Sequence, residues 1–217
     1  LAELEIRPIL GILPGGTCND FSRMLRIPQN LVRAAKILMQ GKTQLLDVGK
    51  VNDHYFLNFW GVGLVADTST NIDAGQKKVL GKLSYFLSAL KTMQAAEPFH
   101  FTLEADEHHL KGEAVMILVM NGRYIGTNQI PFPNMKIDDG LFDVLIVRDS
   151  TFGSLIEVFN LEELPPNNAE AVGNLQHFQT SSLSVQTSPV LEADTDGEIY
   201  SETPAELIVL NKHIQMI

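Results

Sequence analysis

Apolar and polar positions follow two different periods along this chain, and the change falls near residue 45. Residues 7–14, centred on Ile9-Leu10-Gly11-Ile12-Leu13, form an apolar run that predicts a buried strand. Residues 19–26 and 29–40 predict helices. Leu31, Ala34, Ala35 and Leu38 recur at helical spacing, and Gly41 stops the second helix. From Leu45 onward the period shortens. Residues 45–50, 54–60, 99–105, 110–120, 141–148, 182–187 and 190–193 read as strands separated by turn-forming residues. Phe99, Phe101 and Leu103 alternate as on a half-buried strand, and Asp106 to His109 predict a polar hairpin tip with His108 and His109 in solvent.

Two further helices interrupt the strands. Residues 75–94 place Val79, Leu83, Phe86, Leu87, Leu90 and Met93 on one stripe, with Lys77, Lys78, Lys82 and Lys91 on the flanks or the opposite face. Such a helix either packs on a sheet or presents a basic surface to anionic lipid. The other starts at an Asp149-Ser150-Thr151 cap and buries Leu155, Ile156 and Phe159, and Leu164–Asn168 follows as a loop. The organisation is an α/β fragment at the start and a mostly antiparallel β region after it.

Composition narrows the class. With 217 residues, 45% hydrophobic and 19% charged, the chain is globular and long enough for one large or two small domains. No apolar run reaches the roughly 18 residues of a membrane span. The single cysteine, Cys18, cannot form an internal disulfide, which favours a reducing compartment. Net charge is −10, against a general nucleic-acid surface. The charge is uneven: residues 1–50 carry +3 and the rest −13.

Candidate chemistry begins in that basic stretch. Pro14-Gly15-Gly16-Thr17-Cys18-Asn19-Asp20-Phe21 lies between the apolar run and the first helical pattern. A glycine-rich turn at a helix N-terminus aims backbone N–H groups at an anion. Thr17, Asn19 and Asp20 add a hydroxyl, an amide and a carboxylate that suit a phosphate and its metal ion. The alternative is a plain turn capped by Asn19 or Asp20. The stretch is neither a Walker A loop nor a dinucleotide Gly-x-Gly-x-x-Gly. Lys136-Ile137-Asp138-Asp139-Gly140-Leu141 is a tight turn into a strand, or a hard-cation site of one carboxylate and nearby carbonyls. Asp194-Thr195-Asp196-Gly197-Glu198 packs three carboxylates into five residues. It fails EF-hand spacing and reads either as an Asp-Gly hairpin or as a carboxylate cluster able to supply a base or a metal ligand.

Taken in order, Pro14–Phe21, Asp47-Val48-Gly49, Asp138-Asp139-Gly140 and Asp196-Gly197-Glu198 resemble the diacylglycerol kinase catalytic family, specifically soluble bacterial lipid kinases of the YegS/BmrU/DgkB type. Sphingosine and ceramide kinases share the pattern, and NAD kinases a looser form of it. The resemblance implies an α/β plus β fold, in which part of an ATP-NAD-kinase-like nucleotide-binding domain (1–47, rejoined by about 205–217) accompanies a β-sandwich-like lipid domain (48–204).

It also implies transfer of the ATP γ-phosphoryl group to a lipid hydroxyl, most simply diacylglycerol to phosphatidic acid. By resemblance, Gly15, Gly16, Thr17 and Asn19 lie at the nucleotide phosphates, and Asp20, Asp196 and Glu198 are catalytic, with Glu198 as general base. Mg²⁺ is held by the Asp139 carboxylate and the carbonyls of Lys136 and Leu141, and Asp47 joins that ion to the catalytic centre through a hydrogen-bond network. The implied partner is a membrane lipid met at the inner bilayer face by a cytoplasmic protein, with no nucleic acid and with room for a homodimer. An NAD-like or sphingoid acceptor, or a non-catalytic lipid-binding role, are the alternatives.

One departure stands out. The family's Gly-Gly-Asp-Gly-Thr nucleotide loop precedes the strand before Pro14, and no Gly-Gly-Asp-Gly occurs in this sequence, which starts at Leu1-Ala2-Glu3. The expectation is an N-terminally truncated kinase with little activity alone, whose uncovered sheet edge favours self-association.

Overall fold

Two six-stranded sheets pack face to face in this computed structural model, which describes residues 1–63, 97–106, 108–130, 135–148 and 175–217. The expected helices over 75–94 and after Asp149, and the loop 164–168, lie outside the described residues. The first sheet runs, in spatial order, β2 (His54–Phe56), β1 (Gln44–Val51), β14 (Ala205–Met216), β11 (Ser182–Ser188), β4 (Phe99–Ala105) and β5 (His108–Ala114). The second runs β10 (Leu175–Thr180), β9 (Phe142–Val147), β6 (Met116–Met120), β3 (Phe59–Gly63), β12 (Glu192–Thr195) and β13 (Glu198–Glu202). A ribbon of β7 (Tyr124–Ile125) and β8 (Asn128–Gln129) stands apart.

Sequence pattern explains the layers. Strand β4 alternates buried and exposed along its whole length, as a strand with one wet face should. Strands β3, β6 and β9 are buried at every position, so both of their faces are covered. Phe56, Phe101, Leu103, Val185 and Leu207 of the first sheet meet Trp60, Ile117, Val119, Phe142 and Phe178 of the second in one apolar core. Phe56 stacks on Phe142 with ring centroids 5.5 Å apart.

A smaller apolar cluster roots the N-terminal piece. Leu46, Val48, Ile214 and Met216 are buried beneath Leu10, Ile12, Phe21 and Leu25. Two helices follow one another here, α1 (Asp20–Met24) and α2 (Leu31–Leu38). Asn30 caps α2 by accepting the Arg33 N–H at 3.1 Å.

The structure corrects several expectations. Residues 7–14 do not form a buried strand. Ile9 and Leu13 are more than half exposed, and the segment's backbone pairs with β14 through a single parallel bridge, Leu10 to Met216. Among the described residues that bridge is its one strand partner, so no ladder forms. Both helices are shorter than expected. The run 54–60 breaks at Leu57-Asn58, where backbone N–H groups turn to the Asp196 carboxylate instead of a ladder. The run 110–120 breaks at Val115, where the chain leaves the first sheet for the second and the Val115 N–H bonds to the Val147 carbonyl at 2.8 Å. Strand β10 had no apolar signature because it buries Gln176, His177 and Thr180.

Gly49 shows how tightly β1 and β2 are apposed. A Cβ built there would sit 2.2 to 2.5 Å from three ring atoms of Phe56. Gly49→Ala is therefore expected to destabilise by about 2 kcal/mol through overpacking, read by urea unfolding. Phe56→Leu in the same background should recover part of the loss, whereas no recovery would place the strain elsewhere.

Candidate active site

Asp47 sits in β1 opposite an irregularity in β14. Leu46 pairs Ile214 and Val48 pairs Leu210, so one residue on β1 faces three on β14. Within that bulge Lys212 adopts φ 49° and turns its N–H toward the Asp47 carboxylate, 2.6 Å away. The other carboxylate oxygen accepts the Gly140 N–H at 2.7 Å. The Asp47 N–H in turn donates to the Ile137 carbonyl at 2.8 Å. Gly140 has φ 78°, and a Cβ there would lie 2.5 Å from the Asn211 amide nitrogen. A fully buried carboxylate thus ties the Asp138-Asp139-Gly140 turn to both β1 and β14.

The Asp196-Gly197 pair forms the two-residue loop of the β12–β13 hairpin. Both residues have positive φ, 53° and 94°, which is the backbone of a type I′ turn. Asp196 is exposed and Gly197 half-buried, and the Asp196 carboxylate accepts three N–H bonds, from Leu57 (2.7 Å), Asn58 (2.9 Å) and Phe59 (2.9 Å). Asp194 is buried and accepts the Gly197 N–H at 2.7 Å, which closes the loop from inside. Glu198 stands exposed at the first position of β13.

Two asparagines that sequence reasoning missed join these pieces. The Asn58 side chain donates to the Tyr124 carbonyl at 2.8 Å, and the Asn58 main-chain carbonyl accepts the N–H groups of Asn121 and Gly122. Asn121 donates to the Leu57 carbonyl at 2.9 Å and the Asp47 carbonyl at 3.2 Å. The only sequence signal was a lone asparagine beside an apolar strand, followed at Asn121 by a glycine. Gly122 is required because a Cβ there would lie 2.0 Å from the Asn58 side-chain oxygen.

The Pro14–Asp20 stretch closes on itself. The Asn19 side-chain oxygen accepts the Gly16 N–H at 2.8 Å while Asn19 takes φ 55°. Gly15, Gly16 and Thr17 are exposed. The expected dipole effect is small, because α1 has only five residues. Both Asp20 oxygens accept N–H bonds at 2.7 Å, from Gly126 and Thr127 at the β7–β8 tip. That tip also has two positive φ angles, 57° and 74°. Asp20 therefore clips the loop to the ribbon that begins at Tyr124, the residue whose carbonyl Asn58 holds.

Hydrogen bonds and short stretches of chain thus connect Asp20, Asp47, Asp139 and the Asp196–Glu198 hairpin in one frame. Asp143 is buried against His177, with 2.7 Å between Asp143 Oδ1 and His177 Nε2. Asp139 lies within electrostatic reach of both Asp143 and Asp47. The buried side-chain oxygens of Asn58 and Asn121 have no donor among the described residues. Among those residues no three His, Cys, Asp or Glu side chains converge on a metal. The Asp139 carboxylate is a hard donor beside the charges of Asp143 and Asp47, a chemistry that fits Mg²⁺ or Ca²⁺.

Burial pushes the Asp139 carboxyl above the ordinary carboxylate range, and Asp143 and Asp47 push the same way, against the Leu141 N–H and Lys136. Burial also raises Asp20 and Asp196, against the N–H bonds each accepts. For a carboxyl raised in the folded state, the contribution to stability is complete below the unfolded value near 3.8. It is lost as pH climbs through the raised folded value.

Two expectations follow. Asp47→Asn would turn an N–H donor against one of its two N–H partners. It should cost about 3 kcal/mol, a fall of roughly 6–12 °C in melting temperature. Asp139→Asn keeps an acceptor for the Leu141 N–H and removes the raised carboxyl. In chelator its stability should gain on the unsubstituted protein as pH rises from 4 to 7 in urea titrations, and a constant difference would contradict the assigned shift.

Comparison with known proteins agrees with this geometry. Residues 61–217 match the YegS C-terminal NAD kinase beta sandwich-like domain, and residues 1–51 the diacylglycerol kinase catalytic domain. Proteins provisionally named lipid kinases from Staphylococcus aureus strains JH9 and Newman are each 35% identical over 208 residues, covering 96% of this chain and 68% of theirs. A solved structure of a provisionally named diacylglycerol kinase from Bacillus anthracis str. Sterne is 40% identical with a TM-score of 0.88, covering 100% of this chain and 70% of that one. A second from the same strain, a diacylglycerol kinase, gives 40%, 0.83, 100% and 71%. Sequence motifs, β-sandwich and relatives therefore agree that the chain belongs to the diacylglycerol kinase catalytic family, in its YegS-type lipid kinase branch.

Proposed function

We propose that the complete protein transfers the γ-phosphoryl group of ATP to a lipid hydroxyl at a membrane surface, with diacylglycerol as acceptor and phosphatidic acid as product. The observation that carries this reading is the joining of four acidic motifs, up to 178 residues apart between Asp20 and Glu198, into one frame through Asn58 and Asn121. Plain hairpin turns would not require such a frame, whereas phosphoryl transfer depends on positioning and charge.

In this reading the exposed Gly15, Gly16 and Thr17, shaped by Asn19, meet the nucleotide phosphates. The acceptor oxygen attacks the γ-phosphorus, the bond from phosphorus to the β–γ bridging oxygen breaks, and ADP leaves with that oxygen. Glu198 takes the hydroxyl proton. Asp196 positions Glu198 by anchoring its hairpin, and Asp20 positions the glycine turn against the β7–β8 tip. Mg²⁺ would be held by the Asp139 carboxylate and the carbonyls of Lys136 and Leu141, and would neutralise negative charge gathered there. Asp47 holds that turn in register with β1 and β14.

The test is an ATP-dependent assay with diacylglycerol in mixed micelles, run beside sphingoid bases and NAD as acceptors. Glu198→Gln should lower kcat on diacylglycerol about 10²-fold or more with an unchanged melting curve, as loss of a general base does. Phosphate appearing on NAD or a sphingoid base but not on diacylglycerol would replace the acceptor. Liposome binding with no transfer to any acceptor would favour a lipid-binding role.

A further inference from the structure

A cleft of about 500 Å³ opens where the C-terminal half of α1, the first residue of β1, the β7–β8 ribbon and residues 135–138 meet. None of Gly15, Gly16, Thr17, Asp196 or Glu198 lines it. Four cationic residues do, Arg23, Arg26, Arg123 and Lys136, against one carboxylate, Asp138. The chain as a whole carries −10, so this local excess of positive charge runs against its overall balance. Four cations gathered around one concavity repel one another, and a bound anion removes that repulsion.

Local backbone structure fixes part of this lining. The Arg23 Nε donates to the Cys18 carbonyl at 2.9 Å, which orients the guanidinium. Arg26 takes φ 58°, with its N–H bonded to the Arg23 carbonyl at 2.9 Å, so the chain turns sharply just after α1. Guanidinium groups match phosphate oxygens in a two-pronged geometry that ammonium groups do not. Met24 and the buried Met135 supply an apolar side to the same cleft. The volume falls within the range of small-molecule sites.

We propose that this cleft is a second anion site, which binds a phosphate monoester separately from the glycine turn at Gly15–Thr17. Arg23 follows Asp20 by three residues on the same short helix, a rise of about 4.5 Å. The two ends of α1 thus serve different ligands: the Asp20 end braces the glycine turn, and the Arg23–Arg26 end meets the ester. The proposed reaction makes a phosphate monoester with an apolar tail, and the cleft offers cations beside methionine side chains. The identity of the ester as product rests on the proposed lipid kinase reading, whereas the anion site itself does not.

Isothermal titration of the complete protein with inorganic phosphate, glycerol 3-phosphate and dihexanoyl phosphatidate tests this at low ionic strength, each repeated with excess ADP. Saturable one-to-one binding is expected, retained with ADP and weakened at least tenfold in Arg26→Glu. Arg26 is exposed, so that variant should fold, and Arg123→Gln gives a second reading, each checked by thermal melting. Phosphatidate binding tenfold tighter than glycerol 3-phosphate identifies a lipid headgroup as the source, and equal affinities identify a soluble ester. Absence of saturable binding, full displacement by ADP, or affinity unchanged in both folded variants would overturn the proposal. No arm measures phosphoryl transfer, so ester binding in a protein that phosphorylates no acceptor would refute the kinase reading and leave the site standing.

Discussion

One buried carboxylate, that of Asp47, ties together three pieces of chain. Its two oxygens satisfy the N–H groups of Gly140 and Lys212, and its own N–H reaches Ile137. The β14 bulge exists opposite this residue, and Gly140 needs its positive φ to bring its N–H there. A charge with no exposed surface is tolerated only where such donors compensate its lost hydration. Removing the side chain would take the acceptors from both N–H groups, so the turn that carries Asp139 and the return of the chain through β14 share one anchor.

The same device recurs. Asp196 collects three N–H groups from the link between β2 and β3, and Asp20 collects two from the β7–β8 tip. In each case a carboxylate on one segment supplies the acceptors that a broken ladder on another segment lacks. Asn58 and Asn121 then join the separate clips, because each offers donors and acceptors on one short side chain. The result is a polar frame along the edge of an apolar sandwich.

Much of the sandwich was legible beforehand. Strand β4 matched its expected bounds because alternation with one wet face is a local property. The Asp196-Gly197 loop was legible as a hairpin, since only certain residue pairs adopt two consecutive positive φ angles. The acidic motifs were legible as a set, because their order along the chain resembles one family. By contrast, residues 7–14 looked like a strand from apolarity alone, and apolarity does not say whether neighbours are present on both sides. Residues 110–120 looked like one strand because nothing at Val115 marks a passage from one sheet to the other.

By itself, then, the sequence determined the alternating strands, the tight turns, the acidic motifs and the family they point to. These depend on residues near one another in the chain. Only the tertiary structure decided which groups the buried carboxylate oxygens meet. Asp20 and Asp196 read as reactive groups and Asp47 as a member of a hydrogen-bond network, and each gives its oxygens to backbone N–H groups between 93 and 165 residues away in sequence. It also decided that four cations, from Arg23 to Lys136, line one cleft. Such pairings arise from the desolvation of distant segments against one another, and no local pattern encodes them.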